Sequence, residues 1–339
     1  MKSVVFNEIG SAVEFKPEQN FEEYLKLVEQ DVKAEFGNKQ FATRTCPACQ
    51  NKDTNTAFEK FGFTYVECSQ CKTVYMQKQP DDLQIKKHYL ESASSRFWED
   101  NLTRVTDAKR QEKIYSPRLQ WILNMTGQYR PSVKTIADIN SKNRNYIHAL
   151  TENPDMGSKV LINSYFDLKK NGIAYDKLRL VPDLNGAGEL KNTLDVISLF
   201  EVIDRTNDVE GLIKTAADLL APGGLCFVTT ISISGFDLQV LWGESRSIFP
   251  MDRINVFSTA GLKSLFARHG LEMLEFSTPG LLDVDIINSA VKRNKDIEIP
   301  RFVRSLLETG DEQLYQDLQE FLQVHRLSSF VRIALRKPV

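Results

Sequence analysis

LDVISLFEVIDRTNDVEGLIKTAADLLAPGGLCFVTT, residues 194–230, holds the clearest statement of fold in this chain. Leu194 to Phe200 is an apolar run with the length and β-branched content of a buried strand. A helical pattern follows, with Leu212, Ile213, Ala216, Leu219 and Leu220 at spacings of three and four. Ala221-Pro222-Gly223-Gly224 then stops the helix and turns the chain, and a second strand runs from Leu225 to Ile231. Strand, helix and strand in this order predict a right-handed parallel crossover, the unit of a doubly wound sheet.

The same alternation extends on both sides. Candidate strands lie at 133–139, 159–164, 177–182, 194–200, 224–231 and 271–277. A final run, 329–336, alternates Val331, Ile333 and Leu335 and is expected to return to the sheet, after a helical insertion at about 300–322. The expectation is an α/β, doubly wound (Rossmann-like), seven-stranded sheet occupying residues 131–339. Residues 79–130 read as a polar helical connector, anchored by Ile114, Leu119, Trp121, Ile122 and Met125; His88, beside Lys86 and Lys87, reads as a surface residue. Residues 1–43 form an N-terminal helical arm, whose amphipathic stretch 20–36 carries Phe21, Tyr24, Leu25, Val28 and Val32. That stripe must dock, most simply on the module that follows.

The module, residues 44–78, is set by Cys46-Pro-Ala-Cys49, eighteen intervening residues and Cys68-Ser-Gln-Cys71. Two C-x2-C turns bracketing a hairpin-like segment at 58–66 predict a zinc ribbon, with Cys46, Cys49, Cys68 and Cys71 as ligands. Four thiolates leave no open coordination position, so the zinc is expected to be structural.

Bulk properties exclude several classes. Formal net charge is −2 over 339 residues, with acidic and basic groups interspersed, which argues against a nucleic-acid partner. No apolar run approaches a membrane span, and MKSVVFNEIGSAVEF lacks the apolar core of a signal peptide. The sequence reads as soluble and cytoplasmic, with no membrane partner.

The cysteine knuckles, DVISLFEVID, LLAPGGLCFVTT, GFDLQVLW (235–242), PMDRINVFS (250–258), TPGLLDVDII (278–287) and FLQVHRLSSFVRIALRKP (321–338) together resemble class I S-adenosylmethionine-dependent methyltransferases. More narrowly, they resemble the branch with an N-terminal zinc ribbon in sugar and polysaccharide pathways. The resemblance implies S-adenosylmethionine as cofactor. It places Asp138 and Asn140 at the turn after the first strand, Asn163 where an acidic residue would bind ribose, and Asp183 near the adenine. It also places Glu201, Asp204 and Asp252 as the carboxylates nearest the chemistry.

The departures from that pattern are informative. The turn Ala137-Asp-Ile-Asn-Ser-Lys-Asn-Arg-Asn145 has none of the glycines that let backbone approach the cofactor. Lys142 and Arg144 bring bulk where the methionine moiety is expected. Histidines of the family pattern are replaced by Arg205, Arg253 and Phe330 in three separate motifs, and arginine cannot serve as a base at neutral pH. Arg205 and Arg253 instead suit an anionic ligand. The leading expectation is therefore a methyltransferase-fold protein without conventional methyl transfer, a binding or scaffold subunit for which S-adenosylmethionine is doubtful. Its partner would be a protein (an active methyltransferase paralogue among the candidates) or a sugar or anionic small molecule. The rival is an active methyltransferase on a nucleotide-linked sugar or related glycan precursor.

Overall fold

The computed structural model describes residues 12–37, 39–163, 165 and 178–339. The opening eleven residues, on which the signal-peptide reading rests, lie outside them. So do Ser164 and Lys177, which the strands expected at 159–164 and 177–182 included. Helices α1 (Ala12–Phe15) and α2 (Glu18–Phe36) lead into a hairpin, β1 (Thr54–Lys60) and β2 (Phe63–Cys68), and a short β3 (Val74–Met76). Four helices follow: α3 (Asp82–Glu91), α4 (Ala93–Trp98), α5 (Asp107–Arg110) and α6 (Ser116–Tyr129). The α/β portion then runs β4 (Thr135–Ile139), α7 (Arg144–Glu152), β5 (Ser158–Ile162), β6 (Leu178–Val181), β7 (Leu194–Phe200), α8 (Val209–Leu219) and β8 (Leu220–Ile231). It closes with α9 (Phe236–Leu241), β9 (Asn255–Val256), α10 (Thr259–Arg268), β10 (Glu272–Ser277), α11 (Asp283–Arg293), α12 (Arg301–Thr309), α13 (Glu312–Val324) and β11 (Phe330–Arg336).

The seven-stranded sheet has the order β10-β11-β8-β7-β4-β5-β6, with β11 inserted antiparallel between β8 and β10. Its two faces feed two cores, as the period of two demands. Ala137, Val160, Ile197, Cys226 and Ile333 pack on one side with α8 and α10. Ile136, Leu161, Val196, Phe227 and Ala334 pack on the other with α6 and α7. All seven residues of β7 are buried, which is why it reads as a continuous apolar run. One of them is Asp195. Its carboxylate accepts from Arg130 Nε at 2.8 Å and from the backbone of Lys134 and Thr135 at 2.7 and 3.1 Å, tying the end of α6 to the start of β4.

The cysteine module does not stand apart from this sheet. Its β3 pairs antiparallel with β9, so a four-stranded sheet β1-β2-β3-β9 spans both. Arg44 donates to Asn255 Oδ1 at 2.6 Å and to the Ile254 carbonyl at 3.1 Å, and Tyr65 donates to the Arg253 carbonyl at 2.9 Å. Asn255 in turn donates to the carbonyls of Ile203 and Thr206 beyond β7. Helix α2 buries Phe21, Tyr24, Val28, Val32 and Phe36 in a shared cluster with the hairpin, the connector and residues 248–256.

His88 departs from the sequence reading. It is buried, with Nδ1 at 3.0 Å from Glu35 Oε2 and its ring against Phe36. Lys86 and Lys87 made the segment look solvent-facing, but Ile85 and His88 share the row that α3 lays on α2.

Replacing Asp195 by Ala is expected to lower stability by about 2 kcal/mol, because a half-buried guanidinium and two backbone amides lose their acceptor. Denaturant unfolding of the two proteins measures it.

Candidate functional site

The C-terminal ends of β4, β7 and β8 open into a cleft of about 850 Å³, roofed by segments of α2, α4 and α6. Basic side chains outnumber acidic ones along it, and aromatic rings (Tyr24, Tyr89, Trp98, Tyr115) line much of the rest.

At the floor is the turn after β4. Asp138 is 1% exposed, accepts a 2.6 Å hydrogen bond from Ser198 Oγ, and leaves Oδ1 without a partner. Burial pushes its carboxyl up to about 7, against the pull of Ser198, Ser141, Arg118 and Arg205. Asn140 stands where the first glycine of the family pattern would be, and alone in the turn takes a left-handed backbone, φ +55°. Asparagine is the non-glycine residue best suited to that region, so the turn needs one strained position rather than several. Asn163, also left-handed at φ +53°, donates from Nδ2 to Asn140 Oδ1 at 2.7 Å and accepts from Lys86. The ends of β4 and β5 are thereby latched to each other. Asp183 is not in this group: it is exposed and caps its own turn by accepting from the Gly186 amide at 2.8 Å.

Lys142 lines the cleft and pairs with Asp252 on its far wall. Burial lowers its ammonium to about 8, Arg205 adding to the effect and Asp252 opposing it. Asp252 also accepts from Tyr89 Oη at 2.8 Å and lies 3.0 Å from Arg253. Burial would raise its carboxyl, but Arg253, Lys142 and Arg205 outweigh that and hold it well below the usual range.

Glu201, with φ +56°, meets Arg118 at 2.6 Å and Arg253 at 3.8 Å. Burial is again outweighed, here by Arg118, Arg253 and Lys142, and the group stays ionised. Asp204 is fully buried behind the cleft wall, accepts from Thr230 and lies 3.4 Å from Arg253; burial raises it to about 6 despite that arginine. Thus Glu201, Asp252 and Arg253 converge with Lys142 on the cleft, whereas Asp204 and Arg205 sit behind it. Glu201 and Asp252, the carried-over carboxylates that face the cleft, are each held by a cation.

The ribbon residues Cys46, Cys49, Cys68 and Cys71 bring their sulfurs within 4.8 Å of one another. Four thiolates about 2.3 Å from one tetrahedral zinc lie at such separations, so this cluster could hold a metal ion.

A late antiparallel strand between two parallel neighbours, on a doubly wound sheet with its cleft over the carboxyl ends, decides the architecture. This is the methyltransferase fold. The family described as "Methyltransferase domain" matches residues 125–275 of the chain. A search of curated proteins gave no match. Among solved structures, a putative sarcosine dimethylglycine methyltransferase from Galdieria sulphuraria is 17% identical with a TM-score of 0.41, covering 71% of this chain and 89% of that one. The plantazolicin methyltransferase BpumL, in complex with SAH, is 12% identical with a TM-score of 0.44, covering 75% and 94%. A putative methyltransferase from Bacillus halodurans is 12% identical with a TM-score of 0.39, covering 64% and 98%.

Sequence reasoning missed Arg118 and Tyr89 as parts of the methyltransferase-fold cleft. Both come from connector helices whose polar composition reads as solvated surface, and no local pattern marks which turn faces inward. Among the described residues, no helix is long and apolar enough to cross a membrane.

The raised Asp138 carboxyl has a consequence for stability. The native state binds a proton that the unfolded chain releases near pH 4, so between about pH 4 and 7 this group makes stability fall as pH rises. Asp138→Asn removes that slope. The stability difference between the two proteins should grow by on the order of 4 kcal/mol across the window, measured by denaturant titration at a series of pH values.

Proposed function

We propose that this chain uses the methyltransferase fold as a binding or scaffold subunit, without conventional methyl transfer. The ion pair between Lys142 and Asp252 carries the reading. A bulky cation from the glycine-free turn spans the space that a methyl donor needs and is anchored on the opposite wall. The asparagine latch between Asn140 and Asn163 supports it, since the hydroxyls of a bound ribose would have to displace that bond. The residues present therefore fit S-adenosylmethionine poorly. The groups that stand where the resemblance places the chemistry are poor bases as well. Glu201 and Asp252 are held as ion-paired carboxylates, and the arginines remain charged at neutral pH.

The basic and aromatic character of the cleft favours an anionic small molecule, and the glycan-pathway resemblance supplies such molecules as phosphorylated sugar precursors. A paralogous methyltransferase is the protein partner that this reading favours. Incubation of the purified protein with S-adenosylmethionine and nucleotide-linked sugars is expected to release no S-adenosylhomocysteine above a protein-free control. Sustained, enzyme-dependent release would restore the rival reading of an active sugar methyltransferase.

The cysteine cluster is read as a structural zinc site, in which the four thiolates would hold the ion and join the two knuckles. Elemental analysis should find one zinc per chain. Chelation or Cys68→Ser should unfold the ribbon and, through the β3–β9 pairing, loosen residues 251–256, seen as faster amide exchange there.

A further inference from the structure

Arg205 is the largest of the fully buried side chains among the described residues. None of its three guanidinium nitrogens has a hydrogen-bond partner. Of the carboxylates that feel its charge, Asp204 and Asp252 are engaged by Arg253 and Asp138 is held by Ser198; none forms an ion pair with Arg205. What Arg205 does touch is the face of Tyr89, with its guanidinium carbon 5.4 Å from the ring centroid. An aromatic face recovers only a small part of the solvation that a buried cation loses, and proteins keep such charges where a counter-charge completes them. Lys142 lies over the same ring at 5.2 Å but already has Asp252. Arg205 is the cation left over.

Its position says where the missing partner would come from. Tyr89 lines the cleft and Arg205 does not, so the ring stands between them. The Tyr89 hydroxyl donates to Asp252 and lies 3.0 Å from the Met251 carbonyl, which fixes the ring against Arg205. We propose that Arg205 is the floor of an oxyanion subsite of the cleft, closed by Tyr89 in the free protein, which takes the phosphate or carboxylate group of an anionic ligand. The planar fork of a guanidinium matches both groups. The subsite deepens the binding-protein reading above and rests on it for the identity of the cleft's ligand.

The test is thermal unfolding of the zinc-loaded full chain in chloride, inorganic phosphate and acetate at equal ionic strength, with wild type, Arg205→Met and Tyr89→Phe. In wild type, phosphate or acetate should raise the midpoint above that in chloride, and the anion that does so names the group. Arg205→Met should bind that anion at least about tenfold more weakly, as loss of a charge-assisted pair implies. Its midpoint in chloride should equal or exceed wild type, because an unpaired buried charge has been replaced by an apolar side chain of similar length. Tyr89→Phe, freed of its two hydroxyl contacts, should retain the response to the anion. No shift with either anion in wild type overturns the proposal. So does an equal shift in Arg205→Met, or a fall of its midpoint in chloride that marks Arg205 as purely structural. Release of S-adenosylhomocysteine by the same preparation would defeat the binding-protein reading while leaving the anion response readable.

Discussion

The site depends first on the partly buried ion pair between Lys142 and Asp252. One end belongs to the turn after β4, the other to the segment that becomes β9. Away from water such a pair is held far more strongly than on the surface, but only while its remaining hydrogen-bonding capacity is met. Tyr89 and Arg253 meet it for Asp252. Arg253 then reaches Glu201 and Asp204, and Arg118 closes on Glu201. The result is a connected set of charges across the mouth of the sheet, where an open nucleotide-binding fold would leave backbone amides free for a ligand.

The ribbon bears on that network directly. Because β3 pairs with β9, Asp252 and Arg253 sit immediately before a strand of the same four-stranded sheet as the cysteine module. Arg44, Asn255 and the carbonyl of Ile203 form a chain of hydrogen bonds from the ribbon to the loop beyond β7. The cysteine end of that sheet is itself packed into the main core: Cys46, Cys68 and Cys71 share a cluster with Phe257 and Leu262, and Ser258 donates to the Cys71 carbonyl.

Much of the fold was legible because it is written locally. The apolar run of β7 and the stripe on α8 report on neighbours a few residues away and lie as expected up to Leu219, whereas Leu220 and Ala221–Gly224, read as helix end and turn, form the irregular start of β8. Asn140 was also legible in kind, as the residue type that could replace a glycine in a left-handed turn. The cleft was harder to read. Arg118 meets Glu201 across 83 residues of sequence, and Tyr89 meets Asp252 across 163. Nothing local in a polar helix marks which side chain crosses to a partner so distant. Burial of His88 and Arg205 escaped notice for a related reason. Each sits among polar neighbours, and only tertiary packing removes them from water.

The central claim is that the cleft is closed to a methyl donor by its own charges. Calorimetric titration of the zinc-loaded protein with S-adenosylhomocysteine, beside a Lys142→Gly variant, addresses it most directly. The account predicts no binding heat for wild type up to millimolar ligand, and measurable binding only once the lysine is gone. Micromolar binding by the wild-type protein would contradict it, since the turn at 139–145 would then be rebuilt around the cofactor and not against it.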